Sequence, residues 1–529
     1  MTKINRRSFI GATLKTATAA VISTLPAAQG GASKSSPVPF EAGFAKADIS
    51  ACIESNTRFR RPLEAICAAI GSKGDQVFIV ALDLIEMPPK DCSVIQQEIA
   101  EQLGVPAERI LIHTTHTHCA PWAAKETGHK IVNMGDTLAR CLSQAQSAAK
   151  PARIRAGKKD VGKALSVYRR GDAGPELGFQ TFWFGYAFRH GDPRPDASAL
   201  ANEMKSRWLR KTPDYTPGAV PVWFDGDVDS LVQGIRFEDA DGATIGSIVR
   251  FSAHPHLTSA CKNWLYDPDY PGVVRDEVEK RTGAPVMFLS GTCANLVPKE
   301  KVKYVVDAAK TPKFPYMGPS SGFSPADDNE LLAEVRRIGG AVADAVMQGF
   351  GGSQVENVTS FKFAARPFDV PLNPDIPRNA DDVERLRAPL VAEYEAALQQ
   401  ASPLDKLRGL AERFSRLEWA PALAAKTLIA EDRNRGTVKL PLAVVSLNSN
   451  VFVFMHSEIP AETTFELRKT HPKQNLLTVG LTGGCIGYFP TAIMIEQGGY
   501  EGRSTVITKD AEENLRRDVA ELLIELNIV

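Results

Sequence analysis

The chain has 529 residues, 43% of them hydrophobic and 23% charged, a composition that fits an ordinary soluble globular protein with a large core. Lysine plus arginine and aspartate plus glutamate both total 62, so no basic excess exists to neutralise phosphates, and nucleic acid is not an expected partner. The eight cysteines contain no Cys-x-x-Cys pair, which argues against a cysteine-built zinc site and leaves disulfide pairing open.

Asn5-Arg6-Arg7-Ser8-Phe9-Ile10, followed by Gly11-Ala12-Thr13-Leu14 and an alanine-rich run to Ala28, has the pattern of a twin-arginine export signal. Lys15 and several threonines interrupt the apolar run and make it a poor membrane anchor. No later segment approaches the ~18 uninterrupted apolar residues of a membrane span. The expected organisation is a signal peptide over 1–30, a linker over 31–39 rich in Gly, Ser and Pro, and one domain over 40–529. The signal implies the twin-arginine export machinery as a partner. It also implies a bacterial periplasmic or secreted location, with no transmembrane anchor in the mature form.

The mature fold is expected to begin at 40–49. Gln76 to Leu84 reads as an apolar strand, and Ser93 to Leu103 as a helix from the spacing of Val94, Ile95, Ile99 and Leu103, stopped by Gly104 and Pro106. Ile110 to Ile112 reads as the end of a short buried strand. Strand, helix, strand over this length is a βαβ unit, which demands a parallel pair and a right-handed crossover. Ser230 to Phe237 and Thr244 to Phe251 flank Asp239-Ala240-Asp241-Gly242 as a hairpin, followed by a helix from Val273 to Arg281 and a strand from Pro285 to Leu289. Leu331 to Met347 and Asp381 to Ala424 are charge-rich and read as solvated amphipathic helices, separated by a proline-rich stretch from Ala365 to Pro377. A second hairpin, Leu442 to Leu447 and Val451 to Met455, turns at Asn448-Ser449-Asn450. A helix over Thr463 to Lys469, a strand over Leu476 to Leu481 and a closing helix over Asp510 to Leu526 complete the chain. The sequence carries no internal repeat. The pattern predicts an α/β fold of mixed β-sheets with flanking helices.

Chemistry-bearing residues gather at strand exits. Thr115-His116-Thr117-His118 follows the Ile110–Ile112 strand, and side-chain alternation would put His116 and His118 on one face. Imidazole is the commonest protein metal ligand, and the C-terminal ends of strands in open α/β sheets carry sites. A hydrogen-bonded polar turn would give the same pair, so the spacing alone leaves both readings open. Ser252-Ala253-His254-Pro255-His256 and His456-Ser457-Glu458-Ile459-Pro460 leave two further strands. The glycine-containing loop from Ser290 to Pro298 is too irregular to cradle phosphate.

Taken in order, these motifs resemble the neutral/alkaline, non-lysosomal ceramidase family over most of the chain from Phe40 onward. Its Thr-His-Thr-His-Ser-x-Pro motif is matched by Thr115-His116-Thr117-His118-Cys119-Ala120-Pro121, its His-Pro by His254-Pro255, and its Pro-Gly-Glu by His456-Ser457-Glu458. Its Gly-Tyr loop is matched by Gly487-Tyr488 and its later Tyr-Glu by Tyr500-Glu501. The resemblance implies one catalytic Zn²⁺ held by His116, His254, Glu458 and Tyr488, a donor set with room for an exchangeable water whose pKa the ion lowers to about 7. It further implies that His118 handles protons, that Tyr500 donates a hydrogen bond to the developing oxyanion, and that Arg169 contacts substrate. Three departures stand out. Val297 occupies the place of a substrate-contacting serine, His456-Ser457 replaces Pro-Gly, and Cys485 replaces a polar or aromatic residue. The separate C-terminal Ig-like domain of many ceramidases is not expected. The resemblance thus implies an exported zinc-dependent hydrolase of a linear amide, ceramide or another N-acyl compound. The alternatives are an esterase or lactonase using the same zinc water, and a non-catalytic periplasmic binding protein.

Overall fold

Both faces of the second and third strands are buried, and successive side chains point to opposite faces, so each strand serves two cores. The computed structural model describes residues 39–121, 130–172, 179–181, 226–302, 304–306, 323–375 and 380–528; the expected signal peptide and all but the last residue of the expected linker lie outside them. The first sheet consists of β1 (Phe40–Asp48), β2 (Glu64–Ser72), β3 (Asp75–Leu82) and, after helix α1 (Pro89–Leu103), β4 (Ile110–Thr114). Its order is β4-β3-β2-β1, with Lys150–Pro151 beside β1, and β4 runs parallel to β3 as the βαβ reading requires. Cys67, Phe78, Val80, Ile110 and Ile112 pack beneath α1 and α2 (Met134–Ser147), while Ile66, Ile79 and Leu111 face a second core.

The second sheet repeats this plan with β5 (Arg153–Asp160), then, beyond a short strand β6 (Ser166–Tyr168), the hairpin β7 (Leu231–Glu238) and β8 (Thr244–Phe251). Helix α3 (Asp269–Thr282) leads to β9 (Val286–Ser290), parallel to β8, and β10 (Leu296–Pro298) pairs back onto β6. Its outer face, with Val249, Phe251 and Phe288, is covered by α3 and the long α4 (Asp328–Gly351).

The third sheet begins with β11 (Phe361–Pro371). Helices α5 (Ala380–Gln399) and α6 (Leu404–Thr427) precede the hairpin β12 (Thr437–Leu447) and β13 (Asn450–Met455), after which α7 (Ala461–Thr470) leads to β14 (Asn475–Val479), parallel to β13. A short helix α8 (Gly499–Arg503) and the closing α9 (Ala511–Glu525) follow, with Leu515, Val519 and Leu522 of α9 covering the outer face.

Each sheet thus contains a first strand, an antiparallel hairpin, a helix and a parallel strand in the same spatial order, with a further short segment, Lys150–Pro151 or Val355–Asn357, beside the first strand of the first two. The three inner faces share one core, with Ile66 and Ile79 from the first sheet, Phe237, Ile248 and Met287 from the second, and Val445, Phe452 and Leu477 from the third. All eight cysteines are buried thiols. No helix among the described residues is long and apolar enough to cross a membrane.

Two expectations change. The proline-rich stretch from Ala365 lies largely in β11; as an edge strand β11 pairs on one side only, and Pro367 sits opposite Pro441 where β12 has not yet met β13. The charge-rich Asp381–Ala424 segment forms two helices, and α6 buries Leu417, Ala420 and Ala424, so it is not simply a solvated surface element.

Candidate metal centre

The ends of β4, β8 and β13 bring three loops together. Strand β4 stops at Thr114, and His116 adopts a left-handed φ of 68°, so strand alternation does not carry on to it. The backbone turn nevertheless leaves the His116 and His118 rings edge-on, 4.9 Å apart. His116 N–H donates to Leu84 O at 3.0 Å and its Nδ1 to Ile85 O at 2.6 Å. His254 N–H donates to Leu296 O at 3.0 Å, and its Nδ1 to Cys293 O at 2.6 Å. Glu458 follows Ser457, another left-handed residue at φ 59°, and its N–H donates to Gly487 O at 3.2 Å. Left-handed backbone at non-glycine positions costs on the order of 1 kcal/mol each and is commonest where function fixes the chain.

Glu458 Oε2 lies 3.0 Å from His254 Nε2 and 3.3 Å from His116 Nε2. Both Nδ1 atoms are committed as donors, so in the neutral rings both Nε2 atoms present lone pairs to one carboxylate oxygen. His116 Nε2 is buried and makes no hydrogen bond. Such an arrangement is repulsive unless a proton or a cation sits within it. A cation fits the donors, because Nε2 of His116 and of His254 face one Glu458 oxygen, and a ring nitrogen of His118 lies within 4.8 Å of these histidines as a neighbour of the ion. Burial opposes charge on all three rings. It pushes His254 down to about 4 and His118 well below the imidazole range, while at His116 the Glu458 and Glu86 carboxylates outweigh it and raise the value. Burial also works against the Glu458 anion, but His116 and His254 hold that carboxyl well below its usual range.

Tyr488 bridges to Glu458 through the backbone, and its hydroxyl accepts from Arg169 Nη2 at 2.8 Å. Burial pushes this hydroxyl up and Arg169 pulls it down, the first effect being larger. Arg169 is fully buried, with Nε donating to Glu501 Oε1 at 2.8 Å, while Thr181 holds the other oxygen of Glu501 at 2.6 Å. It stands behind Tyr488 instead of projecting into open space. Tyr500, on α8, is half-buried with its ring 5.2 Å from that of Tyr488. Val297 is fully buried in β10 opposite Val167, outside the histidine–carboxylate group.

Sequence reasoning passed over two groups. Glu86 is buried beside the centre; burial first, and then the Glu458 charge, push its carboxyl up to about 7. Only its place just beyond β3, matching His254 beyond β8 and Glu458 beyond β13, distinguishes it in the chain. The second is His113, which the structure places within β4, past the expected end of the strand at Ile112. Its Nδ1 donates to Gly480 O at 2.9 Å, and its Nε2 accepts from Ser290 N–H at 3.0 Å.

No family model and no curated protein sequence matches the chain. Among solved structures, the neutral ceramidase from Pseudomonas aeruginosa superposes with a TM-score of 0.57 at 17% identity, covering 93% of this chain and 74% of that one. A ceramidase complexed with C2 gives 0.56 at 15% identity, with 92% and 76% covered. The likeness establishes a shared α/β fold of mixed sheets.

Proposed function

We propose that the chain is an exported zinc-dependent hydrolase of linear amides, acting on ceramide or another N-acyl compound. The observation that carries this reading is the single Glu458 oxygen faced by two buried Nε2 atoms, at 3.0 and 3.3 Å, on a fold shared with ceramidases. His116, His254, Glu458 and Tyr488 would hold the ion. Bound there, zinc would lower the pKa of a water and polarise the amide carbonyl.

The protein's own groups do the rest. His118, kept neutral by burial and by the neighbouring imidazoles, takes a proton at a ring nitrogen during attack and returns it to the departing amine. Tyr500 keeps its hydroxyl proton, because burial raises it, and donates to the oxyanion. Arg169 aligns the Tyr488 hydroxyl while Glu501 holds the guanidinium. Val297 offers no hydroxyl where ceramidases carry a serine, so the polar head of the substrate is read differently from that of ceramide's usual hydrolases. The Arg6-Arg7 pattern supports twin-arginine delivery to the periplasm.

The expected outcome for His116→Ala is at least a tenfold fall in turnover together with loss of bound zinc, in a protein of unchanged circular dichroism. A folded variant with less than tenfold loss would sink the mechanism.

A further inference from the structure

The second hairpin strand of each sheet ends shortly before a buried donor: β8 before His254, β13 before Glu458, and β3 before Glu86. The first two belong to the centre proposed above, and the third has no part in it. Glu86 is 7% exposed, and its carboxylate, that of Glu458 and the Cys485 thiol form a group whose donor atoms all lie within 4.8 Å of one another.

The loops carrying these donors are tied by main-chain hydrogen bonds, Cys485 N–H to Met87 O at 2.8 Å and Ser457 N–H to Gly484 O at 3.0 Å. Gly487 N–H points at Cys485 Sγ from 3.3 Å. Two buried carboxylates and a sulfur this close repel one another unless a proton or a cation lies among them. Glu458 also takes part in the histidine-side centre, where the buried His116 Nε2 makes no hydrogen bond and faces Oε2 from 3.3 Å. In the ion-free protein the Cys485 thiol shares its proton with the Glu86 carboxylate, and a cation that displaces this proton meets three donors already gathered within 4.8 Å.

We propose that a second divalent cation binds to Glu86, Glu458 and Cys485, with Glu458 bridging it to the histidine-side ion. The inference rests on the reading of that histidine-side centre as a metal site. One sulfur and two carboxylates suit zinc better than magnesium or calcium, which favour all-oxygen shells. Binding takes Cys485 as the thiolate; its S–H bond breaks and the proton leaves to solvent. A carboxylate-bridged pair of this kind can clamp both the attacking and the leaving atoms of a hydrolysis.

Zinc content per chain, measured by plasma mass spectrometry on the zinc-saturated, gel-filtered protein, tests this. The expected result is two zinc ions in the wild type and one in both Cys485→Ser and Glu86→Gln. One ion in the wild type, unchanged in both variants, overturns the second site and leaves the histidine-side centre standing. No bound zinc at all overturns both. Cobalt substitution reads the sulfur directly and needs no variant to fold: the wild type should hold two cobalt ions per chain and show sulfur-to-cobalt charge-transfer absorption. That absorption with one cobalt per chain would make Cys485 a ligand of a single centre and contradict the proposal, as would its absence at two.

Discussion

His113 joins all three sheets, since it lies on β4, donates to Gly480 O beyond β14 and accepts from Ser290 N–H at the end of β9. Only the neutral ring can donate and accept at once. Burial accordingly pushes its pKa down to about 3, against 6.5 in an exposed imidazole. The unfolded chain therefore takes up this proton first as pH falls. The contribution of the neutral ring to stability is complete above pH 6.5 and is lost progressively between 6.5 and 3. The wild type should lose about 2 kcal/mol through His113 between pH 7 and pH 5, and denaturant unfolding of His113→Asn should show a correspondingly shallower pH slope. Arg169 offers a second test at this scale. Lysine cannot span Glu501 and Tyr488 as the guanidinium does, so Arg169→Lys should lower kcat at least tenfold with KM little changed. A rise in KM alone would return Arg169 to substrate contact. His116, His254 and Glu458 stand at strand exits in the sequence, but only the resemblance to ceramidases singles them out as ligands. Glu86 was not legible, because a single carboxylate between Ile85 and Met87 carries no local pattern.

Elements were read well wherever one period dominated. The two hairpins and the βαβ unit appear in the structure within a few residues of their expected ends. Strand β11 was missed because proline argues against a strand, and only its edge position makes Pro367 and Pro371 tolerable. Helix α6 was underrated because its charges mask the buried Leu417, Ala420 and Ala424. Helix α2 lies so close to β1 that a Cβ on Gly43 would fall 2.0 Å from Ala145 O and 2.6 Å from Ala149 N. Both are backbone atoms, so relief requires the helix to move. Gly43→Ala should therefore lower the unfolding free energy by about 3 kcal/mol, read as a reduced Tm by calorimetry. An unchanged Tm would mean that α2 is not held in this contact.

Across the whole molecule, three topologically equal sheets turn their inner faces to one core and their strand ends to one site. Backbone bonds lock those ends together: Thr114 N–H to Leu481 O at 3.1 Å, Gly480 N–H to Ser290 O at 3.2 Å and Leu481 N–H to Ser457 O at 3.0 Å. This rigidity can hold two imidazoles against a carboxylate until an ion arrives. The threefold repetition could not be read from sequence, since an inner face asks only for apolar residues at alternate positions and fixes neither their identity nor their spacing between strands. Convergence of residues from His116 to Tyr488 likewise depends on strand order, which residue spacing does not encode. Amide hydrolysis by a metal held at that convergence is tested most directly by product analysis by mass spectrometry of the purified protein with a panel of ceramides, other N-acyl compounds and matched esters, with and without a zinc chelator. The expected result is release of a carboxylic acid from an amide, abolished by chelation and restored by zinc. Absence of product from every amide with zinc bound, or hydrolysis that survives complete zinc removal, would contradict it.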